Sequence, residues 1–413
     1  MSQWKNITHF AALDWASQRH EAVVIDRDGN ITEEFAFDHS ADGWTYLRRR
    51  IAKYTHLAFA VESGMGIVVE QLLSTHALVF VVPAKNAKAY RERRVSGSKT
   101  DRIDALSLAR ALRSDGHEWK PAQPLDPIIE QLRLLCRDEV ALIQQRTRLV
   151  NQLRAALREY YPIALEAFND WTTTSSWAFI EAFPTPEALA KAGRKRWEHF
   201  LHKNKLWRNN VEARLETFAR AKSFVGNEAV TQAKSLLALS LVRMLTCVEV
   251  QINEYRKRIE QLYAEHPDHN IFDSLPGAGE RLGPRLLAEM GEDRDVFPDA
   301  NALQCYSGTA PVSYQSGQMH KVMLRRSCNK ELRAAVHLWS QQAILRCPWA
   351  KIYYKAQRKR GKSHSCALRC LGNRLTKILW RIWQNHATYN ADVHTANQIK
   401  HGSWVVQISP ATP

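Results

Sequence analysis

The sequence lacks the marks of several large protein classes. Its seven cysteines, at 136, 247, 305, 328, 347, 366 and 370, form no CxxC pair, and no Cys/His set has zinc-finger spacing. That excludes the usual structural zinc folds. The seven are read as reduced, mostly buried thiols of a cytoplasmic protein. No P-loop and no GxGxxG occurs, so no nucleotide cofactor is expected. The longest unbroken apolar run, Ala77–Pro83, falls far short of the ~18 residues of a spanning helix, and no membrane partner is expected. The opening MSQWKNITHF has no apolar signal segment.

Acidic residues are the other scarcity, and it is local. Over 413 residues, 58 Lys and Arg face 42 Asp and Glu, a net charge of +16. Residues 1–120 contribute +2, residues 121–270 contribute +3 and residues 271–413 contribute +11. Within 320–413 the ratio is 17 basic to 2 acidic. So dense a field of one sign calls for a polyanion, and phosphate backbones are the usual one. With 45% hydrophobic residues the chain is no disordered tail, and its length suits two or three domains.

The first 120 residues read as mixed α/β. Strands are expected at Thr8–Trp15, His20–Asp26 and Ile31–Phe37, the last two joined by an Asp28-Gly29-Asn30 turn. Helix Ala41–Tyr54, strand His56–Glu62, helix Ile67–Thr75, strand Ala77–Val82 and a helix over Asp101–Arg113 follow. Three hairpin-linked strands and then alternating α and β is the order of an RNase H-like sheet. The middle reads as helical. Pro127–Tyr160 carries spaced apolar residues. Leu241, Leu245, Val248, Ile252, Tyr255, Ile259 and Leu262 form a heptad seam. An antiparallel coiled-coil arm over 121–160 and 233–268 is expected, with an ordinary bundle helix as the alternative.

The arm encloses a Trp-containing insert, 161–232. Its Thr185-Pro186-Glu187 is a helix start. Arg194-Lys195-Arg196 beside Trp197, and Lys203, Lys205, Trp207 and Arg208, suit nucleic-acid contacts or a solvated helix face equally well. A third part, 271–391, opens with Leu275-Pro276-Gly277-Ala278-Gly279. This resembles a helix-hairpin-helix turn that presents N–H groups to phosphate, and a plain interhelical turn is the alternative. Residues from about 392 read as a tail.

Four carboxylates stand out. Asp14 ends the first strand and Glu62 ends His56–Glu62. In an RNase H-like sheet these strands are parallel neighbours, so both acids leave at the carboxyl edge, where open α/β sheets place their sites. Asp101 and Asp104, within Lys99-Thr100-Asp101-Arg102-Ile103-Asp104, share a helical face. Taken singly, such acids are turn formers or helix-start residues. Converging, they would repel unless a hard divalent cation sat among them, and two magnesium ions ~3.5–4 Å apart suit phosphoryl transfer. Ser316, in the loop Gly308–Gly317, is open to a bulky substrate. A serine before glycine is more often a turn, and a nucleophile needs a base; His320 is near only in sequence.

The order Asp14, Glu62, Asp101, Asp104, then a helical arm, a PGxG turn and the Gly-x2-Pro-x4-Ser-Gly loop resembles the DEDD transposases of bacterial insertion sequences. These include bridge-RNA-guided recombinases and are related to Piv-type invertases. The resemblance covers roughly residues 8–390. It implies a RuvC-like N-terminal domain, long coiled-coil helices and a mostly helical C-terminal transposase domain, in a bacterial cytoplasmic enzyme. It implies that the four acids hold magnesium. It further implies that Ser316 forms a 5′-phosphoserine link to cut double-stranded donor and target DNA. A structured noncoding guide RNA and a homo-oligomer, a dimer of dimers in which one protomer's acids face another's serine, are implied as well. Lys99, Arg102, Lys321, Arg325, Arg326, Lys330 and Arg333 are the expected nucleic-acid contacts. Two departures stand out. Arg326-Ser327-Cys328-Asn329 lacks the glycine of the family's Lys-Arg-Gly-Asn run, and the insert lengthens the chain. Two other readings need less: a RuvC-like nuclease that hydrolyses DNA with the acids alone, and a non-catalytic RNase H-like binding protein.

Overall fold

A computed structural model describes residues 4–62, 66–92, 100–207, 211–223 and 226–404. Lys99 and Arg208 lie outside the described residues. The chain forms two compact units that divide after Leu125.

The first unit holds a five-stranded sheet of order β3-β2-β1-β4-β5. Strands β1 (His9–Asp14), β2 (Arg19–Asp26) and β3 (Ile31–Asp38) run antiparallel, while β4 (Leu57–Glu62) and β5 (Leu78–Val82) run parallel to β1. The β2–β3 turn closes as its residues require: Gly29 takes a positive φ and the Asp26 carboxylate accepts from the Asn30 N–H at 2.8 Å. Helices α1 (Ala41–Ile51) and α2 (Ile67–Leu73) cover one sheet face, against Leu13, Phe59 and Val61. Helix α4 (Asp101–Asp115) covers the other, against Phe10, Ala12, Ala58 and Ala60. Helix α3 (Ala84–Glu92) was not foreseen, because three alanines and Tyr90 give no apolar stripe.

The second unit is helical. Helix α5 (Pro127–Tyr160) starts where Pro127 fits the first turn and the Asp126 carboxylate accepts from the Ile128 N–H. It pairs with Glu228–Glu265 in an antiparallel arm: Glu159 meets Lys234, Arg146 meets Glu249 and Glu139 meets Arg256. The heptad seam is the contact. Leu241, Leu245, Val248, Ile252, Ile259 and Leu262 are buried, and Tyr255 is half-buried. Helix Glu228–Glu265 is long and apolar enough, by length and composition, to cross a membrane. Arg243 and Glu249 interrupt its apolar run, and Leu241, Leu245 and Ile252 pack into a core with Leu149 and Leu153 of α5.

One end of the arm carries the insert, packed around Trp171, Trp177, Phe179, Phe183, Trp197, Phe200 and Phe218. The Thr185 cap forms as expected, accepting from the Ala188 N–H at 3.0 Å. Trp197 is a core residue, with its indole N–H donating to the Leu189 carbonyl, so it offers no stacking face. Arg194 pairs with Glu198 and Glu212. Of the expected stacking residues, Trp207 is the exposed one, laid on His202 with ring centroids 3.9 Å apart.

The other end of the arm enters the core of the C-terminal helices through Ile129, Leu132, Ile259 and Leu262. Gly277 of the PGxG turn has a positive φ, and a Cβ there would lie 2.8 Å from the Gln342 backbone. Close helix packing is therefore sufficient reason for that glycine. The tail is more ordered than its sequence suggests. Ala391–Lys400 is a helix, and Trp404 stacks on Tyr353 with Arg360 over its ring. The cysteines are less buried than expected: Cys136 and Cys347 are buried, Cys247 is exposed and four are intermediate.

Candidate active site

Period-two alternation decides where the strand-end acids point. On β1, Phe10 and Ala12 face α4, so Asp14 does too; on β4, Ala58, Ala60 and Glu62 share that face. Leu13 pairs with Val61 in the parallel register, which sets Asp14 beside Glu62 at the carboxyl edge. The Trp15 indole N–H donates to the Glu62 carbonyl at 2.9 Å and ties the two strand ends together.

Helix α4 brings the third acid. Thr100 caps it by accepting from the Ile103 N–H at 3.2 Å. Ala105, Leu108, Ala109 and Leu112 then seat the helix on the sheet, which carries Asp104 inward to 8% exposure. Asp14, Glu62 and Asp104 line one notch with Leu13, Ala87, Ala105 and Leu108. Asp101, one turn earlier, is exposed and does not line it. Among the described residues no three Asp, Glu, His or Cys side chains converge on one point as metal ligands. The notch's polar lining is oxygen-only, a donor set that suits a hard divalent cation. Arg102, an expected nucleic-acid contact, instead forms a two-bond pair with Glu34 at 2.8 and 2.7 Å.

Ser316 lies in the second unit. Its surroundings are not a loop but a β-hairpin: β6 (Val312–Ser316) pairs with β7 (Met319–Met323). Ser316 faces Met319 across a two-residue turn, and Gly317 takes the positive φ that a turn with glycine at its first central position needs. The serine is exposed at the hairpin tip, next to the turn.

The hairpin base is fastened by residues of the basic run. The Arg325 Nε–H donates to the Ala310 carbonyl at 3.3 Å, and Arg333 donates to the Arg325 carbonyl at 3.4 Å. Asn329 caps the following helix, Lys330–Arg346, by accepting from the Leu332 N–H. Its side-chain amide also donates to Glu289 at 2.8 Å. Glu289 is buried and takes two bonds from Arg137 of the arm, at 2.7 and 2.8 Å. Sequence reasoning missed Glu289 and Asn329. The N-cap preference of Asn before Lys330-Glu331 was the available signal for Asn329; Glu289 had none. A side chain on Gly308 would come within 2.6 Å of Cys328 Sγ, so Cys328 packs against the bare backbone of Gly308. Lys321, Arg326 and Lys330 are exposed.

Two transposase family models match the chain. One, of the DEDD type, covers residues 11–162 and so spans Asp14, Glu62, Asp101 and Asp104. The other, the IS116/IS110/IS902 transposase family, covers residues 269–355 and spans the hairpin. The chain belongs to the IS110/IS116/IS902 family of transposases. It is 32% identical to the mini-circle putative transposase for IS117 of Streptomyces coelicolor, over 90% of this chain and 93% of that one. It is 26% identical to an uncharacterised 42 kDa protein of insertion element IS900 of Mycobacterium paratuberculosis, over 94% of this chain and 98% of that one. It is also 26% identical to a 44.8 kDa protein of IS116 of Streptomyces clavuligerus, over 90% of this chain. This IS110-family transposase is thus an enzyme of DNA strand transfer, with a mixed α/β N-terminal unit and a mostly helical remainder.

Proposed function

We propose that this transposase cuts and exchanges DNA through a phosphoserine link at Ser316, served by a RuvC-like acidic site of Asp14, Glu62, Asp101 and Asp104. The observation that carries the reading is the gathering of Asp14, Glu62 and Asp104 around one notch at the carboxyl edge of the sheet. The presentation of Ser316 on an exposed hairpin tip supports it. Holding magnesium would require Asp14, Glu62 and Asp104 to draw closer around the notch and Asp101 to turn in from the exposed first turn of α4. Bound there, magnesium would supply charge stabilisation for phosphoryl transfer.

In the reaction, the Ser316 Oγ–phosphorus bond forms as the bond from phosphorus to the 3′ oxygen breaks. The serine proton passes to solvent and the 3′ oxygen takes one up. Attack by a new 3′ hydroxyl then reverses these changes and frees the serine. Lys99, Lys321, Arg326 and Lys330 are the proposed phosphate contacts. A noncoding guide RNA supplies the choice of donor and target, and the enzyme works as a dimer of dimers. Exposed Leu236, Leu237, Met244 and Val250 on the arm support pairing with a second copy.

A suicide DNA substrate resolved on a denaturing gel tests the chemistry. A protein–DNA adduct should form, and it should vanish in Ser316→Ala and in Asp14→Ala. Cutting by Ser316→Ala at the wild-type rate would replace this reading with metal-dependent hydrolysis. RNA that copurifies with the enzyme and maps to the element's flank would test guidance.

A further inference from the structure

The hairpin that bears Ser316 has no buried face. Every residue of β7 is exposed, and every residue of β6 except the half-buried Val312. A two-stranded ribbon is marginal alone in water, and it normally lays one apolar face on a core. This one leaves its apolar residues in solvent: Tyr314 is 55% exposed, Met319 and Val322 58% each and Met323 39%.

Register shows where these residues point. Val312, Tyr314 and Ser316 alternate along β6 and stand opposite Met323, Lys321 and Met319. Opposed residues of an antiparallel pair share a face. Ser316 therefore shares its face with Met319 directly across from it and with Tyr314 and Lys321 two pairs further back. The other face carries Ser313, Gln315, His320 and Val322. The apolar side of the ribbon is the side of the serine.

Charge selects the occupant. From residue 300 to residue 330 the chain has no Asp or Glu, while Lys321, Arg325, Arg326 and Lys330 are basic. A protein partner would need an apolar and strongly acidic surface together. DNA offers stacked bases inside a polyanion. Two-stranded ribbons enter grooves of duplex DNA, and proteins that open base steps do so with apolar wedges such as Met. Aromatic side chains then replace the lost stacking of an unpaired base.

We propose that Tyr314 and Met319 form a wedge that parts the base pairs beside the scissile phosphate and stacks on the freed base, while Lys321 holds the phosphate for Ser316. The need is chemical. A cut strand can be exchanged only when its bases leave their old partners, so opening at the cut belongs to the reaction. The wedge rests on the phosphoserine reading, and the test separates the two.

The full-length enzyme, with any copurifying nucleic acid, is given suicide duplexes carrying the element's end junction. One duplex is fully paired and the other is mismatched for three pairs beside the cut. Adduct is scored on denaturing gels. Tyr314→Ala combined with Met319→Ala should lose about tenfold or more adduct on the paired duplex and return to near the wild-type level on the mismatched one. Tyr314→Phe should match wild type on both, and Lys321→Ala should lose adduct on both. A double variant that is unchanged, or that falls equally on both duplexes, overturns the wedge and assigns these residues to another partner or to the hairpin's own folding. If wild type gives no Ser316-dependent adduct on either duplex, the phosphoserine reading fails and the wedge with it.

Discussion

At the scale of single residues, the first unit contains an acid-sensitive histidine on the sheet face opposite the carboxylate notch. His20 is buried among Phe37, Trp44 and His39. Its Nδ1 accepts from the Ala16 N–H at 3.3 Å, so Nε2 carries the proton and donates to His39 at 2.9 Å. Burial pushes its pKa down to about 4, and the neighbouring His39 adds to the shift. The unfolded chain binds that proton near pH 6.5, the folded one only near 4. Stability is therefore full above pH 6.5 and falls as pH drops toward 4. Urea midpoints at pH 7 and pH 5 should differ less in His20→Gln than in wild type. This pair could not be read from sequence, because His20 and His39 meet only once β2 and β3 are in register. Asp14 and Glu62 could be read, because a carboxylate that ends a buried strand leaves little choice of exit.

At the scale of elements, the arm was legible and the hairpin was not, for one physical reason. A seam with a fixed 3.5-residue period writes its burial into the sequence, and a ribbon with no buried side writes nothing. Gly308, Pro311 and Gly317 therefore made the Ser316 segment look like a loop. The seam also has a soft position: Tyr255 is half-buried, with its hydroxyl 3.5 Å from Asp138. Beside the seam lies Glu139. Burial pushes its carboxyl up, but the hydrogen bonds and charges of Arg285 and Arg256 outweigh this and hold it below the usual carboxylate range. Leu245→Ala, at a fully buried position of the seam, should cost about 2–5 kcal/mol. Leu134→Ala, on the solvent side of α5, should stay within about 0.5 kcal/mol. Thermal melts of the two variants would check the contrast, and equal losses would mean that the seam is not the main contact.

At the scale of the whole molecule, the surplus of positive charge sorts into two kinds. Arg326 and Lys330 are exposed, whereas Arg325 and Arg333 hold main-chain carbonyls at the hairpin base. Composition could not distinguish them, since both kinds count equally in the +16. Binding measured against salt can. Arg326→Ala or Lys330→Ala should each flatten the log–log slope by about 0.9 for duplex DNA. Arg333→Ala should weaken the hairpin and change the slope less. Equal slope changes in all three variants would place Arg333 on the phosphates as well.

The uncovered ribbon has a consequence for the host cell. On the proposed reading, the nucleophile sits on a part of the chain that the rest of the protein does little to support. Its working shape is completed by the substrate. A transposase free in the cell would then carry its reactive hydroxyl on a ribbon held at its base alone and attack little. The safety catch is thermodynamic and needs no inhibitor: the right DNA provides the ordering that the chain withholds.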